Sequence, residues 1–317
     1  RRVLFRSGSY LQASLIFALA AFGHSACWAP VMVLVQKWVP DHKRGTALSF
    51  VAMGVGSGIF AWGLILPLIV TSSGWRSGWT ALGITALVIA IGNALLVRNP
   101  PISASEKSES RQSLPEFILS YRTLFKQWLF WAIGLAYLLV GFNVIILFTF
   151  LPVYSQETLN VPYATATGLI SVIAFFGIVG QLLLGPLSDK IGRMKVMISC
   201  SVIMGFSCLA FLLIHSIYLL YVVTAFYGIG YGAVWPIYAA AASDYFPRRH
   251  SGGIIGLWTL CLGLGSIVGP VLSGWIIDNT GNYTGVFACA MIAGFASVLL
   301  LLTVARLPKV AVLRKTG

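Results

Sequence analysis

The stretch Gly185-Pro-Leu-Ser-Asp-Lys-Ile-Gly-Arg-Met-Lys195 is a short charged segment between two long apolar runs. A connection this short must join two adjacent membrane helices on one side of a bilayer. Gly185 and Gly192 allow close backbone approach and a tight turn, and Asp189 can face the positive N-terminal end of a neighbouring helix. Arg193 and the two lysines would hold the loop on the cytoplasmic side.

The composition is that of a membrane protein. Of the 317 residues, 58% are hydrophobic and 9% are charged, whereas a soluble domain carries about 25% charged residues. A spanning helix needs ~20 apolar residues in a row, so the sequence predicts an all-α polytopic membrane protein. The net charge of +13 lies in loops beside apolar runs, which indicates positive-inside topology rather than nucleic-acid binding. The five cysteines lie inside apolar runs and are interpreted as small core residues rather than disulfides or metal ligands.

Nine apolar runs have the length that a bilayer demands. They cover approximately residues 12–36, 46–70, 78–97, 128–152, 165–187, 196–214, 217–242, 254–277 and 284–305. Every second loop is basic, whereas the intervening loops offer only Arg76 as a strong base. The basic side is therefore predicted to be cytoplasmic, and the C-terminus lies on that side.

The pattern G-x-L-S-D-x-x-G-R-x-K in 185–195 resembles the signature loop of the major facilitator superfamily of transporters. In that family the loop follows the second helix and, usually more weakly, the eighth. The resemblance implies two parallel six-helix halves that rock about a site at the membrane midplane. It also implies that Gly185, Asp189, Gly192 and Arg193 form a cytoplasmic latch that breaks as the halves rotate.

An internal repeat indicates which helices are present. Residues 38–45, Trp-Val-Pro-Asp-His-Lys-Arg-Gly, parallel residues 245–252, Tyr-Phe-Pro-Arg-Arg-His-Ser-Gly, at an offset of about 207 residues. Such an offset is expected for the two halves of the resembled fold. If the loop at 185–195 follows helix eight, the nine runs are helices four to twelve, and helices one to three are absent from this chain.

These assignments divide the chain into five parts. Residues 1–7 match the translation of a common sequencing-adapter DNA and are predicted to be an artefact, the alternative being a natural Arg-rich loop. The central loop carries apolar residues at helical spacing, which predicts an amphipathic surface helix or a plain tether. The parts are 1–7 (artefact), 8–97 (helices four to six), 98–126 (cytoplasmic central loop), 127–306 (helices seven to twelve) and 307–317 (cytoplasmic tail).

Polar groups inside the apolar runs are the first candidates for a substrate cavity. His24 is the one ionisable candidate near the middle of a predicted helix, and its imidazole could carry a coupling proton or bind substrate. The alternative is a neutral histidine satisfied by a neighbouring helix. Asn143 and Gln181 could line the cavity or could join helices by hydrogen bonds.

Aromatic residues supply the remaining cavity candidates. Tyr227, Tyr231, Trp235 and Tyr238 fall on one face of a predicted helix, and in the resembled fold that helix borders the central cavity. The alternative is a packing stripe. Trp28, one turn from His24, and Trp258 complete the set.

Within the family the chain looks most like prokaryotic members related to the monocarboxylate and organic-acid branch. The resemblance lies in Trp38-Val-Pro with Arg44-Gly45, Gly74-Trp-Arg76 with Trp79, and Asp278-Asn-Thr-Gly281 with Tyr283. That branch would place an arginine in helix eight, and residues 165–187 contain none. Either the substrate is not a small carboxylate or its counter-charge lies outside this chain.

The expected function is secondary transport of a small organic solute, with an organic anion as one candidate, by alternating access. The sequence shows no metal cluster, nucleophile–base set or phosphate loop, so no enzyme activity and no cofactor is predicted, although a proton or another ion could be coupled. The expected partners are the solute and the lipid bilayer, for a monomer in the cytoplasmic (inner) membrane. The alternative is a transporter-like sensor or assembly factor that binds a ligand without flux.

Overall fold

The computed structural model describes residues 10–98, 122–247 and 250–305, and within these ranges it is helical with no strands. A short 3-10 turn, Asp41–Lys43, precedes the second helix. The nine long helices are α1 (Tyr10–Trp38), α2 (Arg44–Ser73), α3 (Trp75–Leu96), α4 (Trp128–Glu157), α5 (Tyr163–Ile191), α6 (Arg193–Leu213), α7 (Ile217–Tyr245), α8 (Ser251–Thr280) and α9 (Thr284–Ala305).

Eight of these helices, α2 to α9, are long and apolar enough to cross a membrane. This confirms eight of the nine predicted spans. The ninth, α1, is 29 residues long, which exceeds the ~20 residues that a span requires, but several of its side chains lie outside the description. All of the helices except α9 extend two to five residues beyond the predicted run at one end or both, whereas α3 and α6 each end one residue before it.

Helices α4 to α9 pack as one bundle. The largest contacts are those of α4 with α8 and α9, of α5 with α7, and of α6 with α7 and α9. Glycines allow these close approaches: a Cβ on Gly141 would collide with the backbone of Leu262, and one on Gly265 would collide with the carbonyl group of Leu138. Lipid gives helices no hydrophobic reason to associate, so small residues that bring backbones together stabilise such contacts.

Helix α2 joins this bundle to the N-terminal helices. It packs mainly on α5 and also on α7, whereas α3 packs on α2 and α1 contacts α8, α2 and α7. The α2–α5 contact runs along much of both helices. Ser49 lies against Gly185 at one end, and further along the ring centroids of Phe60 and Phe175 are 5.9 Å apart. The two predicted halves are therefore in contact chiefly through α2.

Single glycines make the tightest connections. Gly74 (φ 80°) alone separates α2 from α3, and Gly192 (φ 99°) alone separates α5 from α6. A positive φ of this size suits a residue without Cβ, so the predicted turning role of Gly192 is confirmed. The two segments of the internal repeat also occupy equivalent places, since Pro40 precedes α2 and Pro247 precedes α8.

A polar contact joins two helix ends at the end of the bundle opposite the α5–α6 turn. The Tyr283 hydroxyl donates a 2.5 Å hydrogen bond to the Glu157 carboxylate. Burial, together with the hydrogen bond and the charge of Glu157, raises the pKa of Tyr283 to about 12. The contact ties the end of α4 to the α8–α9 connection.

Three predicted segments lie outside the described residues in whole or in large part. They are the suspected artefact at 1–7, residues 99–121 of the predicted central loop 98–126 with most of its predicted amphipathic helix, and the predicted tail at 307–317. The numbering of the helices as four to twelve stays a prediction.

Candidate functional site

Four helix ends meet at one end of the structure, where the N-terminus of α2 lies against the end of α5, the start of α6 and the end of α7. The charged and polar residues at this meeting point are called the latch cluster below. Its members are Asp41, Arg44, Gly45, Thr46, Gly185, Ser188, Asp189, Gly192, Arg193 and Asp244.

Asp189 of α5 caps the N-terminus of α2. Its Oδ1 accepts a hydrogen bond from the Gly45 N–H (2.9 Å), and its Oδ2 accepts bonds from the Thr46 N–H (2.8 Å) and the Thr46 hydroxyl (2.7 Å). The first N–H groups of a helix lack partners within the helix and carry its positive dipole end. A carboxylate from the other half supplies both the acceptor and the opposite charge.

Asp244, the penultimate residue of α7, forms ion pairs with one arginine from each half. The Arg193 Nε donates to its Oδ2 at 2.9 Å, and Arg44 Nη1 lies 3.4 Å from its Oδ1. Arg193 also pairs with Asp189 at 2.6 Å, and Arg44 pairs with Asp41 at 2.7 Å. The five side chains therefore form an alternating chain of charges in which Arg44–Asp244 is the ion pair between the two halves.

Two glycines make room for this cluster. A Cβ on Gly45 would collide with the side chains of Arg193 and Ser188, and one on Gly185 would collide with the side chain of Ser49. Ser188 in turn accepts a 2.6 Å hydrogen bond from Arg193. Gly185, the first residue of the 185–195 pattern, is thus required where α5 contacts α2.

The four residues predicted as a latch, Gly185, Asp189, Gly192 and Arg193, come together in the structure, and their conformational role stays a prediction. Asp244 was not predicted as a site residue, and Arg44 was named only in the internal repeat and in the resemblance to the organic-acid branch. Asp244 ends an apolar run beside the repeated Tyr-Phe-Pro segment, and that position was the available signal. A lone acid at such a boundary was not distinctive without its partners.

An aromatic cluster lies between α1, α4, α7 and α8 and lines a small pocket of about 180 Å³ of empty volume, partly open to the surroundings. The lining residues are uncharged: Trp28, Tyr137, Trp235, Tyr238, Ala239, Ile255, Trp258 and Thr259.

The rings of this cluster are in direct contact. Tyr137 stacks on Tyr238 with centroids 4.3 Å apart and meets Trp235 edge-on at 6.1 Å. Trp28 of α1 reaches Trp235 across the two halves at 6.3 Å, and the Trp258 indole donates to the Phe130 carbonyl at 3.1 Å. Four predicted cavity residues thus line one pocket, and Tyr137 is a member that the sequence analysis did not select.

Asn143 and Tyr227 lie elsewhere, inside the α4–α9 bundle. The Tyr227 hydroxyl donates to Asn143 Oδ1 at 2.8 Å, and Asn143 Nδ2 donates to the Ala290 carbonyl at 2.7 Å. Both side chains are fully buried. These contacts are hydrogen bonds that join helices, which is the alternative to cavity lining that the sequence left open for Asn143.

Three further predicted residues have different placements. Tyr231 lies between the buried Tyr227 and the pocket residue Trp235, with ring centroids 6.4 Å from Tyr227 and 5.7 Å from Trp235. Gln181 donates to the Gly232 carbonyl of α7 at 3.1 Å. His24 lies within α1, but its side chain is outside the description, so both interpretations of it stay open.

A metal site finds no support in the described ranges. They contain no group of three or more His, Cys, Asp or Glu side chains that could hold a metal ion. The latch cluster and the aromatic pocket are two arrangements in this part of the chain that combine polar or aromatic groups from both halves.

Comparison with known proteins identifies a family. The family model described as "Major Facilitator Superfamily" matches residues 3–193 and again residues 168–316. A solved structure of a proton:xylose symporter bound to 6-bromo-6-deoxy-D-glucose superposes with a TM-score of 0.62 at 16% identity, covering 87% of this chain and 66% of the symporter.

Curated relatives are similar over most of the chain. Monocarboxylate transporter 12-B of Danio rerio is 24% identical over 93% of this chain. The probable galactarate/D-glucarate transporter of Bacillus subtilis is 26% identical over 84% of it. The chain spans 68% and 65% of the length of these two proteins.

Proposed function

This chain belongs to the major facilitator superfamily, a family of secondary transporters, and we propose that it moves a small organic solute across the cytoplasmic membrane by alternating access. In this mechanism two halves rock about a central site that opens to one side at a time. The protein binds and releases its solute without covalent change, so no enzyme activity and no cofactor is proposed.

The observation that carries this proposal is the latch cluster. It joins the two halves at one end through one ion pair, Arg44–Asp244, and through the capping of α2 by Asp189. Contacts of this kind are strong at short range and are lost when the helix ends separate. They therefore support a closed state at this end and its release as the halves rotate.

The sidedness follows from charge. The ends of α1, α3, α5, α7 and α9 share one side, and each of these helix ends is followed in the sequence by a basic segment. Positive charge is retained in the cytoplasm, so we place the latch cluster and the C-terminus inside and treat the described state as closed toward the cytoplasm. A monomer suffices for this mechanism.

The substrate class is the finer part of the proposal. Relatives are named as monocarboxylate and galactarate/D-glucarate transporters, and the similar solved structure is a xylose symporter. The pocket offers stacking surfaces from its aromatic lining, and α5 contains no arginine. An organic anion is the first class to test, and a neutral sugar is the second.

Counterflow in proteoliposomes tests the proposal directly. Vesicles are loaded with unlabelled lactate, D-glucarate or D-xylose, and entry of the labelled solute is followed against protein-free vesicles. Transient accumulation of one label above the control supports transport. Saturable binding of a solute without accumulation overturns the proposal and favours the sensor class.

The latch adds a second readout. Asp189→Ala removes the cap on α2, so we expect turnover to fall much more than solute affinity. Unchanged turnover in this variant would exclude a latch role for Asp189.

Ion coupling is a further proposal. His24 in α1 is the candidate proton carrier because imidazole titrates near neutral pH. Uptake driven by an inward proton gradient should be lost in His24→Gln while counterflow persists. Gradient-driven uptake that survives in this variant would remove His24 from the coupling path.

A further inference from the structure

Helix α7 contains a break in its hydrogen-bond ladder at Pro236. In an α-helix each carbonyl accepts from the N–H four residues later, so the Gly232 carbonyl would pair with residue 236. Proline has no N–H, and the Gly232 carbonyl therefore loses its partner within α7. An unpaired carbonyl buried away from water costs free energy comparable to a lost hydrogen bond.

Gln181 of α5 supplies the missing donor. Its Nε2 donates to the Gly232 carbonyl at 3.1 Å, and the Gln181 side chain is buried. The donor comes from a residue 51 positions away. The break in α7 is thus filled by a side chain from a different helix.

The two backbones are close enough for this exchange because glycines face each other one turn away. A Cβ on Gly177 would lie 3.5 Å from the Cα of Gly232, and a Cβ on Gly232 would collide with the backbone of Gly177. A Cβ on Gly180 would likewise collide with the Ile229 carbonyl. Helices α5 and α7 are therefore in backbone contact at the position of the break.

The second amide atom of Gln181 argues against a packing role. Its Oε1 is buried and has no hydrogen-bond partner among the described residues. An unpaired buried acceptor is unfavourable, and an apolar side chain of the same length would fill the space without one. The donor to Gly232 is what distinguishes glutamine at this site.

The break lies among the pocket residues of α7. Trp235 and Tyr238 of the aromatic pocket lie beside Pro236, and Asp244 of the latch cluster lies two turns beyond it. On α5, Asp189 follows Gln181 by eight residues. The Gln181–Gly232 bond therefore joins α7, one turn before its pocket residues, to α5, two turns before its latch residue.

We propose that Gln181 is a positioning residue that fixes the geometry of α7 at Pro236, so that the pocket residues of α7 and the latch end of α5 move together. The alternating-access role of this movement rests on the proposed function. The bond itself and its dependence on proline do not, and they can be measured without any substrate.

The experiment is a double-mutant cycle followed by amide hydrogen exchange on the purified full chain. The variants are Gln181→Met, which keeps length and removes the donor, and Pro236→Ala, which returns an N–H to the Gly232 carbonyl. Exchange is measured by mass spectrometry for the α7 peptides after position 236, with α9 peptides as the internal reference. Gln156→Met is the matched control, because Gln156 donates to the Pro152 carbonyl within its own helix, α4.

We expect Gln181→Met to speed exchange after position 236 by roughly fivefold, the equivalent of one net hydrogen bond. In the Pro236→Ala background the same change should have little effect, because the carbonyl is already paired. Gln156→Met should leave α7 unchanged.

Two results would overturn the inference. One is exchange in α7 that does not respond to Gln181→Met. The other is an equal increase with and without proline, which would indicate a packing role independent of the Gly232 carbonyl. Either result would leave the counterflow test of transport untouched.

Discussion

Replacing Asp189 by asparagine keeps the size of the side chain and removes its charge. In the closed latch the carboxylate accepts two N–H bonds and one hydroxyl bond from the start of α2, at 2.7 to 2.9 Å. Its ion pair with Arg193 lies within one half of the molecule, so that pair persists when the halves separate. The change therefore weakens the contact between the halves selectively.

The size of the effect follows from the bonds that depend on the charge. A hydrogen bond to a charged group contributes about 1.5–3 kcal/mol, and an N-cap contributes about 0.5–2 kcal/mol. Asparagine still offers one acceptor oxygen, so the loss is about 2 kcal/mol. Since 1.4 kcal/mol corresponds to tenfold, the population open to the cytoplasm should rise roughly 30-fold.

A buried thiol reports that population. Ala52 of α2 is 1% exposed and belongs to the shared core, so Ala52→Cys should react with a soluble maleimide only when the halves part. The half-buried native cysteines Cys261 and Cys289 are replaced by serine, as is Cys27, and the two fully buried ones, Cys200 and Cys208, are kept. Labelling rates of the reporter are compared with and without Asp189→Asn.

Asp278→Asn is the matched control, because it makes the same charge change near the opposite end of the structure, where α8 ends. It should leave the labelling rate unchanged. An Asp189→Asn protein that is monodisperse and melts cooperatively, yet labels at the rate of the parent, would refute the assignment of Asp189 to the contact between the halves.

Three other outcomes are expected. Gly185→Ala should raise the labelling rate of the same reporter several-fold because the new Cβ collides with Ser49. Adding Ser49→Gly should return the rate to that of the parent, and a rate that stays high would contradict this cause. Asn143→Leu should destabilise the bundle by about 1–3 kcal/mol, since it leaves a buried hydroxyl unpaired, and a melting temperature equal to that of the parent would argue against it. The pKa of Tyr283 is raised to about 12, so the stability difference between the parent and Tyr283→Phe should be constant below pH 10 and shrink as the pH rises toward 12. Thermal melts that show the same difference across that whole pH range would argue against a stabilising role of this hydroxyl.

The helices and the turn at 185–195 were predictable because their signals are local. Apolar length identifies spans, and the spacing of Gly185, Asp189 and Gly192 identifies a turn that can present a carboxylate to a helix end. The contact of Asp189 with a helix N-terminus was therefore foreseen, although the identity of that helix was not.

The rest depended on which helices touch. Arg193 and Asp244 are 51 residues apart, and Asn143 and Ala290 are 147 apart, so neither contact leaves a periodic trace in the sequence. Tyr137 lies among many aromatic residues and becomes distinctive only when Tyr238 stacks on it. For the same reason the sequence could not decide whether Gln181 lines a cavity or joins two helices.

The alternating charges of the latch cluster have an energetic consequence for repeated cycling. When the halves part, Arg44 keeps Asp41 on its own side, and Arg193 keeps both Asp189 and Asp244 on the other. Breaking a buried ion pair is strongly unfavourable when it leaves a charge without a counter-charge, and here each arginine retains one. Separation of the halves therefore costs mainly the hydrogen bonds that cap α2. The same contacts can re-form when the protein returns to the closed state, and neither arginine is left without a counter-charge in between.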